Sequence, residues 1–381
     1  MRLPFVLVTL FVVAASASAQ DARTSGHYTA IGAGPTGLAL APARWGSPSV
    51  AAIAFGPDGA LYASGYFETA DEVRPLEDGG DLVARWNGIG WAPVGDRLVQ
   101  ENESPEVHGI AFGPEGSLYA VGSFYNDDVT DFARLDGAAW VSPAELEGFA
   151  SMIAVGPDRA LYAYGQEDNW RGDSLANRVS RWDGAAWTHV YTDVGTTIVS
   201  LAVGPDGTLY AATTAETNEE YRDVATVARW NGTALGADIY GDVVVLAVGP
   251  DGSVYAGGGR RQGGGDRETG YVVRWDGEAW APLLTVATEG DDARILALAV
   301  GPDGALYAGG SFAAAGGVAA SHVARWDGAV WHPLGSGTDG PVTALAFDAQ
   351  GRLAIGGSFA TAGGVASPFL TRSDTTGGPA D

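Results

Sequence analysis

The sequence predicts an all-β fold, a seven-bladed β-propeller with four antiparallel strands per blade. Three observations predict it. Two short motifs alternate along the chain seven times. Each pair of motifs divides into four short strands joined by tight turns. And the last repeat lacks one strand, which the mature N-terminus supplies.

The first motif is an apolar strand, then Gly-Pro-Asp-Gly, then Leu-Tyr-Ala. Its Gly-Pro copies begin at Gly56, Gly113, Gly156, Gly204, Gly249 and Gly301, with a degenerate seventh at Asp348. The second is Val-Ala-Arg-Trp-Asp-Gly followed by Ala-Trp, with its Arg at Arg85, Arg134, Arg181, Arg229, Arg274, Arg325 and Arg372. Repeats of this length with four strands each are the signature of propeller blades. Helical folds are disfavoured by composition, since the chain holds 57 Gly, 19 Pro and 12 Trp.

Each element follows from its residues. Strand A is apolar, as in Thr343 to Phe347. In the turn after it, Pro presets φ, Asp caps the turn and Gly takes the left-handed position. Strand B is Leu306 to Gly309, and a variable loop follows. Strand C is Val323 to Trp326, and Asp327-Gly328 forms a second hairpin turn. Strand D is Trp331 to Leu334. Every strand A carries an alanine at one position: Ala54, Ala111, Ala154, Ala202, Ala247, Ala299 and Ala346. Strands crowded around an axis require a small side chain, so the order A to D runs from axis to rim.

The last repeat stops after strand C, at Leu370-Thr371-Arg372. Tyr28-Thr29-Ala30-Ile31-Gly32 aligns with Trp331-His332-Pro333-Leu334-Gly335. The N-terminal strand should therefore complete the last blade and close the ring, which removes open sheet edges. The propeller is expected over residues 20–374, with a short flexible tail over 375–381. Residues 1–19 read as a cleaved signal peptide: Arg2, the apolar run Leu3 to Val13, then Ala17-Ser18-Ala19. That run is too short to span a bilayer, and no other segment approaches membrane length. A secreted, periplasmic or cell-surface protein without a membrane span is expected.

The chain has no cysteine and no lysine, and its net charge is −25. The first fact excludes disulfides, thiol catalysis and thiolate metal sites. The second and third argue against nucleic-acid binding, because phosphate is repelled by such a surface.

Gly310-Ser311-Phe312-Ala313-Ala314-Ala315-Gly316-Gly317, followed by Val323-Ala324-Arg325-Trp326-Asp327-Gly328, resembles the repeats of large bacterial secreted and surface propeller proteins, and is similar to those of Rax2-like cortical proteins. The resemblance covers the whole mature chain. It implies the propeller architecture and little about chemistry. The Asp and Trp around the C–D turn resemble the Asp-box of sialidases in position, and the Gly-Pro-Asp-Gly-x-Leu-Tyr run resembles strands of calcium-dependent lactonase and quinoprotein propellers. In both cases the likeness concerns a fold element.

Most repeated residues are read as structural. Ten Trp fall in two columns: Trp86, Trp182, Trp230, Trp275 and Trp326 on strand C, and Trp91, Trp140, Trp187, Trp280 and Trp331 on strand D. These are expected to pack between blades. Each A–B turn holds an acid: Asp58, Glu115, Asp158, Asp206, Asp251, Asp303 and Asp348. One pair between the strand-C Arg and the turn acid is expected in every blade, contributing at most ~1 kcal/mol where exposed.

Function should lie where the repeats differ. The B–C and D–A loops share one end of the ring, vary most in length and carry most of the 46 acids. Hard cations favour clustered carboxylates, so Asp71, Glu72, Asp78, Asp81, Asp127 and Asp128 are candidate Ca²⁺ ligands, against the alternative of a solvated acidic rim. Trp45 and Trp170 stand outside the repeat columns on this face, as do Tyr125, Tyr221 and Tyr240. Aromatics beside carboxylates suit a protein or glycan partner; the alternative is that each Trp plugs its own loop. The five His have no partner at metal-ligand spacing, and no nucleophile elbow or phosphate loop is present. The expectation is a monomeric, non-catalytic binding propeller without a cofactor. The competing reading is a Ca²⁺-dependent hydrolase or lyase working in the central depression of the acidic face.

Overall fold

The computed structural model describes residues 27–31, 38–39, 49–69, 81–96, 98, 106–125, 130–143, 149–167, 176–194, 197–216, 223–229, 234–236, 239–261, 268–287, 293–367 and 370–374. Every regular element among them is a β-strand. Seven antiparallel sheets succeed one another, each in the order A–B–C–D. The chain is a seven-bladed β-propeller.

The A strands are Ser49–Phe55, Glu106–Phe112, Phe149–Val155, Thr197–Val203, Asp242–Val248, Arg294–Val300 and Val342–Phe347. Each packs against the A strands of the blades on either side, and that of blade 7 packs against that of blade 1. They form the inner ring. The alanine column is buried in all seven. In six blades it sits opposite the strand-B tyrosine, as in Ala54 with Tyr62 and Ala299 with Tyr307, and in blade 7 Ala346 faces Ala354. A small residue beside a large one lets neighbouring sheets interdigitate.

The A–B turns follow their sequence. In blade 6 the Gly301 N–H donates to the Ala305 carbonyl, Asp303 Oδ1 accepts the Ala305 N–H at 3.1 Å, and Gly304 has φ 78°. In blade 3 Arg159 replaces that glycine and is held at φ 64°, a conformation uncommon for a side chain of that kind.

One feature recurs in every blade without a distinctive residue of its own. The A–B ladder skips one strand-A residue at the same place seven times: Ala51, His108, Ser151, Val199, Val244, Leu296 and Thr343. This is a β-bulge. It drives the strand-A backbone toward strand B, where six blades have a glycine opposite the preceding residue (Gly65, Gly122, Gly165, Gly258, Gly310 and Gly357). A Cβ at Gly310 would lie 2.1 Å from the Arg294 carbonyl oxygen, and one at Gly258 1.7 Å from that of Asp242.

The ring closes as the sequence predicts. His27–Ala30 pairs with Leu370–Asp374, placing Thr29 opposite Arg372 where His332 is opposite Arg325 in blade 6. Tyr28 thus takes the place of Trp331. Blades 6 and 7 carry short hairpins in their B–C loops, each turning on two glycines with positive φ. The blade 6 hairpin pairs Ala314–Ala315 with the end of strand D of blade 5. The Ala-Gly-Gly stretch is therefore a stitch between blades. The expected signal peptide, residues 1–19, and the tail, 375–381, lie outside the described residues.

Candidate functional site

Strand A runs from the loop end of the ring to the A–B turns, so its bulge lies near the loop end. The other edge of strand A faces the axis and has no ladder partner among the described residues. The seven bulged residues, each only half-buried, line the channel there. Their side chains are small or apolar except His108, Ser151 and Thr343. Thr343 Oγ1 is already committed, donating to the Val50 carbonyl of blade 1. Above this ring, Arg294 of blade 6 donates to Asp242 of blade 5 at 3.1 Å. Tyr271 OH donates to the Asp242 carbonyl at 3.2 Å, and Arg260 lies over the Tyr271 ring. Among the described side chains, the mouth of the channel thus holds the Arg294–Asp242 ion pair and, across the ring from it, His108; the backbone of Glu106 opens strand A of blade 2 at the position Asp242 takes in blade 5.

The loop-face residues singled out by sequence are placed only in part. Strand ends bring the backbone of Tyr125, Tyr240 and Asp81 to this face, opposite Thr130, Val224 and Phe67. Trp45, Trp170, Tyr221, Asp71, Glu72, Asp78, Asp127 and Asp128 lie outside the described residues. Among the described residues no group of three or more His, Asp or Glu is close enough to hold a metal ion. Asp339, on the same face, is occupied in structure: its Oδ1 accepts the N–H groups of Ala360 and Thr361, both at 2.8 Å. On the outer strands of blade 3, Ser180 Oγ and His189 Nδ1 are 3.0 Å apart. Ser180 is buried and no described carboxylate orients His189, so this pair lacks the access and the third group that nucleophilic catalysis needs.

The turn face carries a second repeated arrangement, in which the strand-B tyrosine joins the Arg and the turn acid. Arg85, Arg181, Arg274 and Arg325 each lie 5.8 to 6.0 Å from the ring centre of Tyr62, Tyr162, Tyr255 and Tyr307. The sequence analysis assigns that tyrosine no role; its fixed two-strand register with the Arg is the available signal. The expected ion pair forms closely in blades 1, 3 and 6: Arg85 to Asp58 at 2.8 Å, Arg181 to Asp158, and Arg325 to Asp303 at 2.9 Å. It is loose in blades 5 and 7, at 3.7 and 3.9 Å.

In blades 2 and 4 the expectation of a pair fails. Glu115 gives its oxygens to Tyr119 OH at 2.6 Å and Trp182 Nε1 at 3.1 Å, and Arg134 faces Asp136 instead. In blade 4 Thr208 takes Asp206 with both its N–H, at 2.9 Å, and its hydroxyl, at 2.8 Å. Those bonds hold the Asp206 carboxyl below the usual range. Arg229 acts on it only through its field.

The described strand-D tryptophans are interblade packing, as expected. Trp91 and Trp140 are almost wholly buried, and the indole N–H of Trp140 crosses to the Val94 carbonyl of blade 1 at 3.1 Å. Blade 4 has no such tryptophan. Beside it a cleft of about 610 Å³ opens on the turn face, between Tyr162, Arg181 and Val190 of blade 3 and Asp206, Tyr210 and Arg229 of blade 4.

No family model matches the chain, and no curated protein matches it. Solved structures do. The propeller domain of the Trilobed protease from Pyrococcus furiosus is 11% identical, with a TM-score of 0.50 over 86% of this chain and 95% of that one. The extracellular domain of a hybrid two component system from B. thetaiotaomicron is 10% identical, with a TM-score of 0.50; the match covers 88% of this chain but only 39% of that one. A YCF48 structure bound to a D1 peptide is 13% identical, with a TM-score of 0.49 over 92% and 97%. At these identities the likeness is one of fold. Among the described residues no helix is long and apolar enough to cross a membrane.

Proposed function

We propose that the chain is a non-catalytic binding propeller, acting after export, that presents its acidic loop face to a protein or glycan partner. The lining of the channel mouth carries this reading. A hydrolase working in the central depression needs carboxylates, Arg or His converging there. The described lining is Ala51, Ser151, Val199, Val244, Leu296 and Thr343, with His108 alone as a titratable group. Of the two acids that open a strand A, Asp242 is spent on Arg294, and Glu106 of blade 2 is described by its backbone alone. The charge favours binding: a net −25, borne mostly by the loops of one end, steers cationic partners and repels anionic ones.

The contact residues are proposed to be Trp45, Trp170, Tyr125, Tyr221 and Tyr240. Binding of the protein to a glycan array and to a cationic protein panel, repeated with Trp45→Ala and Trp170→Ala, tests this. Loss of a specific signal in either variant supports the assignment. Hydrolysis or elimination of any glycan on the array would replace it with the enzyme reading. Titration calorimetry of Ca²⁺ into EDTA-treated protein tests the candidate ligands Asp71, Glu72, Asp78, Asp81, Asp127 and Asp128. Absence of heat, with no thermal shift, reduces them to a solvated rim.

A further inference from the structure

The cleft between blades 3 and 4 is the vacancy of one repeated tryptophan. Six blades begin strand D with an aromatic residue: Trp91, Trp140, Trp187, Trp280, Trp331 and, in blade 7, Tyr28. Blade 4 does not. Ala228 of its strand C bridges Ala234, six residues on, where Ala84 of blade 1 pairs with Pro93, nine residues on. The Leu235 N–H then donates to the Val227 carbonyl as the Val94 N–H donates to that of Val83. Strand D therefore resumes in register with three fewer residues between the paired positions, and none of Asn231, Gly232 and Thr233 before Ala234 is aromatic.

The other blades show what that position does. The indole N–H groups of Trp140, Trp280 and Trp331 donate to the carbonyls of Val94, Leu235 and Leu283, each on strand D of the preceding blade. For blade 4 the equivalent acceptor is the Val190 carbonyl. Val190 is skipped in the C–D ladder of blade 3 just as Leu283 is in blade 5. Val190 lines the cleft, with the rings of Tyr162 and Tyr210 among the other lining groups. Arg229 at its edge is exposed and makes no hydrogen bond or ion pair among the described residues, while Thr208 holds both oxygens of Asp206. The cleft has a mixed lining in which Val190 and the two tyrosines offer a flat ring its apolar contacts, and the Arg229 guanidinium, balanced only through space by Asp206, favours a carboxylate.

We propose that this cleft binds a flat aromatic ligand carrying a carboxylate, in its simplest form an indole carboxylate. The ring takes the place of the missing tryptophan, its N–H donates to the Val190 carbonyl, and the carboxylate lies on Arg229. The site is at the opposite end of the ring from the acidic loops and is independent of the function proposed for them. Two sources share this chemistry: a free aromatic acid, and a partner chain ending in tryptophan with its terminal carboxylate.

Saturation-transfer NMR and calorimetry on the full chain test it with three probes: indole-3-acetate, indole, and a short peptide ending in tryptophan. Saturable binding of indole-3-acetate is expected. Arg229→Ala should weaken it about tenfold, the worth of one charge-assisted hydrogen bond, and leave indole unchanged. Val190→Trp, which refills the cleft from its wall, should abolish both. Arg229 is exposed, so its variant carries the test if Val190→Trp does not fold. Tighter binding of the peptide than of the free acid assigns the site to a protein partner, and the reverse to a small molecule. No saturable binding of indole-3-acetate or the peptide, or equal binding by Arg229→Ala, overturns the proposal.

Discussion

Thr29 lies opposite Arg372, so the first described strand of the chain is the last strand of the ring. The residue after that strand, Ile31, is 6% exposed and packs into one cluster with Ile53, Phe55, Ala344 and Leu370. The seam between blades 7 and 1 is thus held by a ladder and by an apolar plug. Ile31→Ala should cost about 2–4 kcal/mol in urea unfolding, the range for a buried large-to-small change. Removing residues 1–31 should lower the midpoint further and cause association on size exclusion, since it opens the edge of Leu370–Asp374. An unchanged midpoint in both variants would mean that the ring closes without this strand.

Gly310→Ala should destabilise the protein by about 3 kcal/mol, at the upper end for overpacking. The new methyl would lie 2.1 Å from a backbone oxygen, and backbone cannot rotate aside. Gly304→Ala is the contrast. That glycine has φ 78° with open space around it, so only the left-handed conformation is penalised, at about 1 kcal/mol. Equal effects in thermal unfolding would show that the bulge does not press on strand B.

The architecture was legible because its signals are local and repeated. Gly-Pro-Asp-Gly dictates a turn wherever it stands, and the arginine column aligns the repeats well enough to place Thr29 opposite Arg372. The bulge was not legible: Ala51, His108, Leu296 and Thr343 share no residue type, and a skipped pairing exists only between two strands. Its trace was the glycine of strand B. The turn pairs were half legible, since the columns show that Arg and acid share an end of the blade but not that Thr208 or Tyr119 competes for the acid. The shortened turn of blade 4 was visible as a missing Trp, while its meaning depended on the carbonyl of Val190 one blade away. The loop-face candidates follow no repeat, so nothing in the pattern orients them.

The turn pairs should rank by burial. Arg325 and Asp303 expose 11% and 28% of their side chains, and Arg325 Nε also donates to Tyr307 OH at 3.1 Å. Arg325→Ala strands a half-buried carboxylate and a phenol, and should cost about 3 kcal/mol. Arg85 and Asp58 expose 41% and 50%, so Arg85→Ala should cost less than ~1 kcal/mol. Arg229→Ala removes no described bond and should leave the unfolding midpoint unchanged. Parallel denaturant titrations check the order; a larger loss in Arg85→Ala than in Arg325→Ala would sink it.

Stability should fall on both sides of neutral pH, in steps with distinct causes. Burial holds the His322 imidazole below its ordinary value of 6.5. The unfolded chain therefore binds a proton there first, and stability is lost as pH falls through 6.5. The turn aspartates follow. Asp58 is held below 3.8 by the Ala60 N–H and then by Arg85, and Asp327 by the Val330 N–H and then by His332. Their contribution is present above 3.8 and is lost below it. On the alkaline side, burial, with Asp303 nearby, pushes the Tyr307 phenol from 10.0 to about 12. The unfolded chain ionises first, so that contribution declines between pH 10 and 12. His322 sits at φ 65°, which asparagine tolerates, so His322→Asn removes the titration without adding backbone strain. Urea midpoints from pH 3 to 11 should show the step near 6.5 in the parent and not in His322→Asn, with the steps at both extremes kept. A parent profile flat from pH 8 to 5 would mean that His322 is not held neutral by its surroundings.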